Sequence, residues 1–99
     1  MEPVEIFKAL SNKTRLQILQ WLKDPELNFP EQAEFGYGQG VCVGQIQKKA
    51  GLSQSTVSEY LSLLQKAGLV KAQRVGQWTY YHRNEEAFAV LSELMKTHI

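Results

Sequence analysis

Few side chains in this chain could react with a substrate or hold a metal. Cys42 is the single cysteine, in the stretch GVCVG, and the two histidines are His82 and His98. A soft metal is normally held by three or four nitrogen or sulfur ligands, which the sequence does not place close together. No histidine, cysteine and acid stand at catalytic spacing either. The sequence therefore predicts no catalytic residue, no metal and no cofactor.

A polar run at residues 54–59 suits a different chemistry, recognition of DNA. Short or amide-bearing side chains on a helix can hydrogen-bond to bases or phosphates without holding the helix away from the groove. Gln54 can pair with adenine through two hydrogen bonds, whereas Glu59 suits only cytosine because a carboxylate is repelled by phosphates. The predicted base or groove contacts are Gln54, Ser55, Thr56, Ser58 and Glu59.

Basic residues flank this polar run, although the net charge of the whole chain is only +1. Residues 43–84 hold six basic residues and one acid, whereas residues 24–41 hold four acids and no base. Phosphate contacts supply affinity that does not depend on base sequence, so the first region can face DNA and the second cannot. The predicted phosphate contacts are Lys48, Lys49, Lys71, Arg74, Gln77 and Arg83.

Helical periodicity and turn residues predict the elements that position these side chains. Helices are predicted over residues 3–10, 13–23, 43–50, 54–67 and 85–96, and two strands over 69–75 and 78–82. In the second helix Leu16, Ile18, Leu19 and Leu22 recur at near-helical spacing. Val41 and Val43 are expected to form a short strand and the first turn that lead into the third helix. Gly51 permits a tight turn after that helix, and Ser53 can cap the next one.

Two helices joined by a glycine-containing turn and followed by a basic hairpin are typical of a winged helix-turn-helix. The predicted fold class is mainly α with a small β-hairpin, in the order α-α-β-α-α-β-β-α. At 99 residues one domain is expected. Its predicted parts are an acidic, aromatic-containing loop at 24–41, the helix-turn-helix at 43–67, the wing at 69–83 and a dimerisation helix at 85–97.

Residues 24–41, called the acidic segment below, interrupt the helical pattern. They include two of the three prolines and three of the seven glycines, so no regular helix is expected through them. Phe29, Phe35 and Tyr37 are too many aromatic residues for a solvated linker, and Trp21 is the expected packing partner. The segment is either a structured surface excursion or a ligand or partner surface.

Composition places the chain among ordinary globular proteins, with 43% hydrophobic and 21% charged residues. No apolar run approaches the ~20 residues that a membrane span needs. The first residues, MEPVEIFKAL, are acidic where a signal peptide would be basic. One cysteine cannot form an internal disulfide. A cytoplasmic protein without membrane contact is therefore expected.

Three runs of sequence together point to a family. FKALSNKTRLQIL, GLSQSTVSEYLSLLQKAGLV and GQWTYYHRN resemble the ArsR/SmtB-type transcriptional repressors over nearly the whole chain. The resemblance implies a homodimer that binds a pseudo-palindromic operator in double-stranded DNA and releases it when an inducer shifts the conformation. The first and last helices would form the dimer, through Ile6, Phe7, Leu10, Phe88, Leu91, Leu94 and Met95.

The sensor sites that the resemblance implies are incomplete here. The family's arsenic-type site has two cysteines spaced C-V-C, and this chain has Cys42-Val43-Gly44. Of the family's zinc site on the last helix, Glu85 and His98 match but Ala87 replaces a ligand. Cys42 is therefore either a small apolar core residue or a redox switch, since a thiolate at a helix N-terminus oxidises readily. A small-molecule or redox inducer stays open.

Two functions remain open from the residues alone. The first is a dimeric, sequence-specific DNA-binding regulator, most simply a repressor. The alternative is a winged-helix protein-interaction module without DNA readout, which Glu59 on the reading helix and the modest net charge favour.

Overall fold

The fold is described from a computed structural model for residues 2–99. The α-helices are α1 (Pro3–Leu10), α2 (Lys13–Lys23), α3 (Pro25–Asn28), α4 (Val43–Ala50), α5 (Gln54–Lys66) and α6 (Glu85–Thr97). The strands are β1 (Val41–Cys42), β2 (Val70–Val75) and β3 (Trp78–Arg83), and a 3-10 helix covers Pro30–Phe35. The five predicted helices agree with these bounds to within one residue. Within residues 2–99 no helix is long and apolar enough to cross a membrane.

Local hydrogen bonds fix where α2 and α5 begin, because they satisfy backbone N–H groups that the helix leaves free. The Asn12 side chain accepts a hydrogen bond from the backbone N–H of Arg15 at 2.9 Å. Ser53 Oγ accepts one from the N–H of Thr56 at 3.2 Å. Gly51 ends α4 in the left-handed conformation, with φ of 67°. Asn12, Ser53 and Gly51 can be recognised from the sequence as residues that begin or end helices, which explains why the helix bounds could be predicted.

The three strands form an antiparallel sheet in the order β1-β3-β2. The predicted hairpin is confirmed as β2 and β3, and the structure adds that β1 pairs with β3, with Cys42 opposite Tyr80. Tyr81 packs against the core, so its neighbours on β3 point the other way. We call that other side the outer sheet face; from the register it carries Cys42, Lys71, Gln73, Val75, Trp78, Tyr80 and His82.

The hydrophobic core lies among α1, α2, α4, α5, α6 and the inner side of the sheet. Its buried side chains are Ile6, Ala9, Ile18, Leu19, Leu22, Phe29, Val41, Ile46, Val57, Leu61, Leu64, Leu69, Val70 and Leu91. Leu16, although it shares the apolar spacing of α2, is exposed. At about 100° per residue, Leu16 lies about 60° beyond Leu19 on the helical wheel, at the rim of the arc that α2 buries.

The acidic segment is more ordered than the proline and glycine content predicted. No helix runs through the whole segment, but it contains α3 and the 3-10 helix, each begun by a proline at its first turn, and it is therefore not an extended loop. Proline lacks an N–H group that the first turn does not use, and it therefore starts a short helix as readily as it stops a long one. Phe29 is buried, with its ring edge-on to Trp21 at a centroid distance of 6.4 Å, as expected.

One buried glutamine fastens the acidic segment to the sheet. Gln32 is 3% exposed, and its Nε2 donates to the carbonyl oxygens of Gly36 at 2.9 Å and Gly40 at 2.8 Å. Its Oε1 accepts from the backbone N–H of Cys42 at 2.9 Å. The side chain thus uses both ends of its amide to bind three backbone groups, and the segment is attached directly to β1.

Candidate nucleic-acid interface

The turn between α4 and α5 positions α5 on the surface. Gly51 takes the left-handed conformation that reverses the chain, and Ser53 then caps α5. Val57, Leu61 and Leu64 are buried on one face of α5. Because these three side chains lie on one stripe, they orient the opposite face of the helix toward solvent.

The outward face of α5 carries the polar residues that the sequence singled out. Gln54, Ser55, Ser58 and Glu59 are exposed, while Thr56 is half-buried. Thr56 belongs to the cap, since its Oγ1 lies 2.9 Å from Ser53 Oγ, which also lies 3.2 Å from Ser55 Oγ. We call Gln54, Ser55, Thr56, Ser58 and Glu59 the reading face. Of its members, Gln54, Ser58 and Glu59 have side chains that the cap does not use.

The wing presents exposed cationic and polar side chains next to α5. Lys71, Arg74 and Gln77 are all exposed. Arg74 Nε donates to the carbonyl oxygen of Gly76 at 3.1 Å, which braces the hairpin turn while leaving the guanidinium at the surface. Lys71 and Arg74 of this hairpin are therefore available to a phosphate backbone.

The two lysines of α4 have partners that sequence reasoning missed. Lys48 Nζ lies 2.8 Å from Glu31 Oε2, and both side chains are largely exposed. Lys49 Nζ lies 5.3 Å from the centroid of the Trp21 ring. The acidic segment thus lies against the basic end of α4. No periodicity links positions 31 and 48, and only the opposite charges of the two regions gave a signal.

Arg83 is placed differently from the prediction. Its Nε lies 2.9 Å from Glu85 Oε2 and its Cζ lies 3.9 Å from the centroid of the Phe88 ring. The Arg83 side chain is only 12% exposed. A guanidinium held by a carboxylate and an aromatic face joins β3 to α6, so the prediction of Arg83 as a phosphate contact is corrected to this structural role.

The predicted dimerisation residues divide into two groups. Ile6 and Leu91 are buried within the protomer and offer almost no surface to a second copy, which corrects that part of the prediction. The others are half-buried or exposed: Phe7, Leu10, Phe88, Leu94 and Met95. Val4 and Val90 are further exposed apolar residues on α1 and α6 that the sequence prediction did not name.

Cys42 occupies the N-cap position of α4 and is half-buried. It lies on the outer sheet face beside Tyr80, so it is not a fully buried core residue. Across residues 2–99, no group of three or more histidine, cysteine, aspartate or glutamate side chains comes together as a metal site. His82 and His98 are exposed, and the ring Nδ1 of each lies within hydrogen-bond distance of a sequence neighbour, the Arg83 carbonyl oxygen at 3.1 Å and Thr97 Oγ1 at 2.6 Å.

Comparison with known proteins agrees with this geometry. Residues 38–72, which span α4, the turn and α5, match the family described as bacterial regulatory protein, arsR family. The uncharacterized HTH-type transcriptional regulator YbzH of Bacillus subtilis is 54% identical over 100 residues, the full length of both chains. The transcriptional repressor SdpR of Bacillus subtilis is 30% identical over 79 residues, which are 80% of this chain and 72% of SdpR.

A solved structure shows the same fold. The solution NMR structure of the homodimeric winged helix-turn-helix DNA-binding domain of Mb0332 from Mycobacterium bovis is 30% identical and superposes with a TM-score of 0.65. The superposition covers 97% of this chain and 80% of that domain. Family match, full-length relative and fold agree, and they describe regulators rather than enzymes. This chain belongs to the ArsR family of winged helix-turn-helix transcriptional regulators.

Proposed function

We propose that two copies of this chain form a homodimer that represses transcription by binding a pseudo-palindromic operator in double-stranded DNA. Each copy places α5 in a major groove, with the two grooves about one helical turn apart as two-fold symmetry requires. The observation that carries the proposal is the reading face. It stands at the N-terminus of α5, is exposed, and has the exposed basic wing next to it.

The side chains of the reading face suit base edges. Gln54, at the first position of α5, can donate to and accept from adenine. Ser55 and Ser58 are short enough to let the helix approach the groove closely. Glu59 can accept a hydrogen bond from a cytosine amine, which favours a cytosine opposite it.

Phosphate contacts come from the wing and from α4. Lys71, Arg74 and Gln77 are exposed on the wing, and Lys48 and Lys49 are exposed on α4. Lys48 can bind a phosphate after releasing Glu31, because an exposed ion pair is worth only about 0–1 kcal/mol. Contacts of this kind position the protein on the duplex and make its affinity depend on salt.

Dimerisation would cover the apolar surface of α1 and α6. Val4, Phe7, Val90, Leu94 and Met95 leave an apolar area there that a second copy can bury. The homodimeric state of the Mb0332 domain supports this assembly. The repressor assignment is supported by SdpR. Such a regulator acts in the cytoplasm, where the chromosome lies, and an inducer would release it from the operator.

Alanine substitution on the reading face tests the proposal. Gln54→Ala should weaken binding to the DNA upstream of the chain's own gene by about 1–3 kcal/mol, because a bidentate base contact is lost. Gln65→Ala, an exposed glutamine near the other end of α5, is the matched control and should bind as the wild type does. Equal affinity of Gln54→Ala and wild type would instead favour the protein-interaction module, whose partner binding does not need the reading face.

A further inference from the structure

A cavity of about 510 Å³ opens between the acidic segment, the first turn of α4 and the outer sheet face. Its walls include Gln32, Phe35, Cys42, Gln45, Trp78 and Tyr80. Three further cavities, of about 160, 300 and 250 Å³, are smaller and each is lined by charged side chains. No charged side chain lines the large one, and its apolar surface exceeds its polar surface.

The β-sheet register builds one wall of this cavity. Cys42 and Tyr80 are directly opposite each other on β1 and β3, so their side chains stand together on the outer sheet face. Trp78 lies two residues before Tyr80 and therefore points to the same side. Two aromatic side chains and a thiol thus form a continuous surface that ends at the wing turn.

The acidic segment builds the opposite wall. Phe35 ends the 3-10 helix and is 80% exposed, and Trp78 is 52% exposed. The hydrogen bonds of Gln32 to Gly36 and Cys42 hold the end of this helix beside β1. The backbone on both sides of the cavity is firmly held, and it keeps the large aromatic side chains of Phe35 and Trp78 exposed to solvent. Exposed aromatic surface of this extent is costly unless something covers it.

We propose that this cavity binds a planar, uncharged aromatic small molecule. Aromatic rings in the walls favour a flat aromatic ligand, since stacked and edge-to-face ring pairs gain energy beyond the area they bury. The absence of charge from the lining excludes an ionised ligand, because its charge would be desolvated without a partner. Gln45 supplies an amide that can hydrogen-bond a hydroxyl or carbonyl on the ligand.

The position of the cavity makes its ligand an effector of DNA binding, a consequence that rests on the proposed function. The walls belong to the wing, through Trp78 and Tyr80, and to α4, through Gln45. Both elements carry the phosphate contacts proposed above. A ligand that binds differently in the free and DNA-bound arrangements of these elements changes DNA affinity, and DNA changes ligand affinity by the same factor.

Calorimetric titration of the DNA-free protein with 2-naphthol tests the site itself. Saturable binding is expected, with Phe35→Ala and Trp78→Ala each weakening it about tenfold through loss of a ring contact and buried area. Leu27→Ala, an exposed apolar residue of the same segment outside the cavity, is the matched control and should bind as the wild type does. Decahydro-2-naphthol, which is not flat, and 2-naphthoate, which is charged, should bind at least tenfold more weakly than 2-naphthol.

Several results would overturn the proposal. They are absence of 2-naphthol binding, equal binding of the flat and saturated compounds, and unchanged affinity in Phe35→Ala. Cys42→Ser should still bind 2-naphthol. Loss of 2-naphthol binding in Cys42→Ser but not in Phe35→Ala would show that the ligand reacts with the thiol instead. DNA binding is tested separately. If 2-naphthol binds but the protein binds no DNA, the proposed function is wrong while the proposed ligand site is supported. Equal 2-naphthol affinity with and without bound DNA would overturn the coupling.

Discussion

Replacing Gln32 with alanine should destabilise the protein far more than a surface substitution does. The change removes three hydrogen bonds, to Gly36, Gly40 and Cys42. The carbonyl of exposed Gly36 can bind water again. The carbonyl of Gly40 and the N–H of Cys42 lie in buried or half-buried surroundings, where an unsatisfied group costs about 1–3 kcal/mol.

The expected loss in the free energy of unfolding is therefore about 2–4 kcal/mol, a large share of the roughly 5–15 kcal/mol typical of a domain. Because Gln32 borders the open cavity, water can enter the space left by its side chain, which favours the lower end of the range. In a thermal melt the midpoint should fall by about 10 °C or more for a domain of this size.

Urea denaturation followed by far-ultraviolet circular dichroism measures this loss. Wild type and variants must be compared at one protein concentration, since dimer formation makes the midpoint concentration-dependent. Gln39→Ala is the matched control, an exposed glutamine of the same segment, and should change stability by less than about 0.5 kcal/mol. A Gln32→Ala protein as stable as Gln39→Ala would refute the reasoning, and the cavity would then lack a fixed wall.

Three further substitutions test local features of the fold. Ser53→Ala removes the cap that binds the N–H of Thr56 and should cost about 1 kcal/mol in urea denaturation; an unchanged midpoint would contradict the cap. Gly40→Ala should cost about 2–4 kcal/mol, since φ is 104° and the new Cβ would lie 2.5 Å from the Tyr81 carbonyl oxygen. Gly38→Ala, where a Cβ meets open space, should by comparison be tolerated. Burial raises the pKa of the Tyr81 phenol above its ordinary 10.0, so folding resists its ionisation and stability falls as pH rises past about 10. Tyr81→Phe should lessen that fall in stability. Identical profiles of stability against alkaline pH for Tyr81→Phe and wild type would contradict this role of the Tyr81 phenol.

The helix-turn-helix could be predicted from the sequence because its determinants are local. Ser53 and Gly51 mark the ends of helices by their own conformational preferences, and the apolar spacing of α5 selects its buried face. The hairpin follows from two β-prone runs around Gly76. None of these inferences needs knowledge of which distant residues come together.

The acidic segment could not be predicted in the same way because distant contacts hold it. Gln32 is buried through backbone groups that only the folded chain brings to it, and nothing in its sequence neighbours marks it. The pairing of Glu31 with Lys48 likewise depends on the packing of Phe29 against Trp21. Arg83 was assigned wrongly for another reason: its charge suggested phosphate, while Glu85 and Phe88, nearby in the sequence, determine its position.

Salt dependence of DNA binding is the most direct test of the central claim, that α5 and the wing of a dimer bind duplex DNA. Fluorescence anisotropy should show saturable binding to the DNA upstream of the chain's own gene. Lys48, Lys49, Lys71 and Arg74 supply four cations per protomer and eight in the dimer, so log K against log[salt] should have a slope of about −7. A slope near zero, or no saturable binding at low salt, would contradict the account.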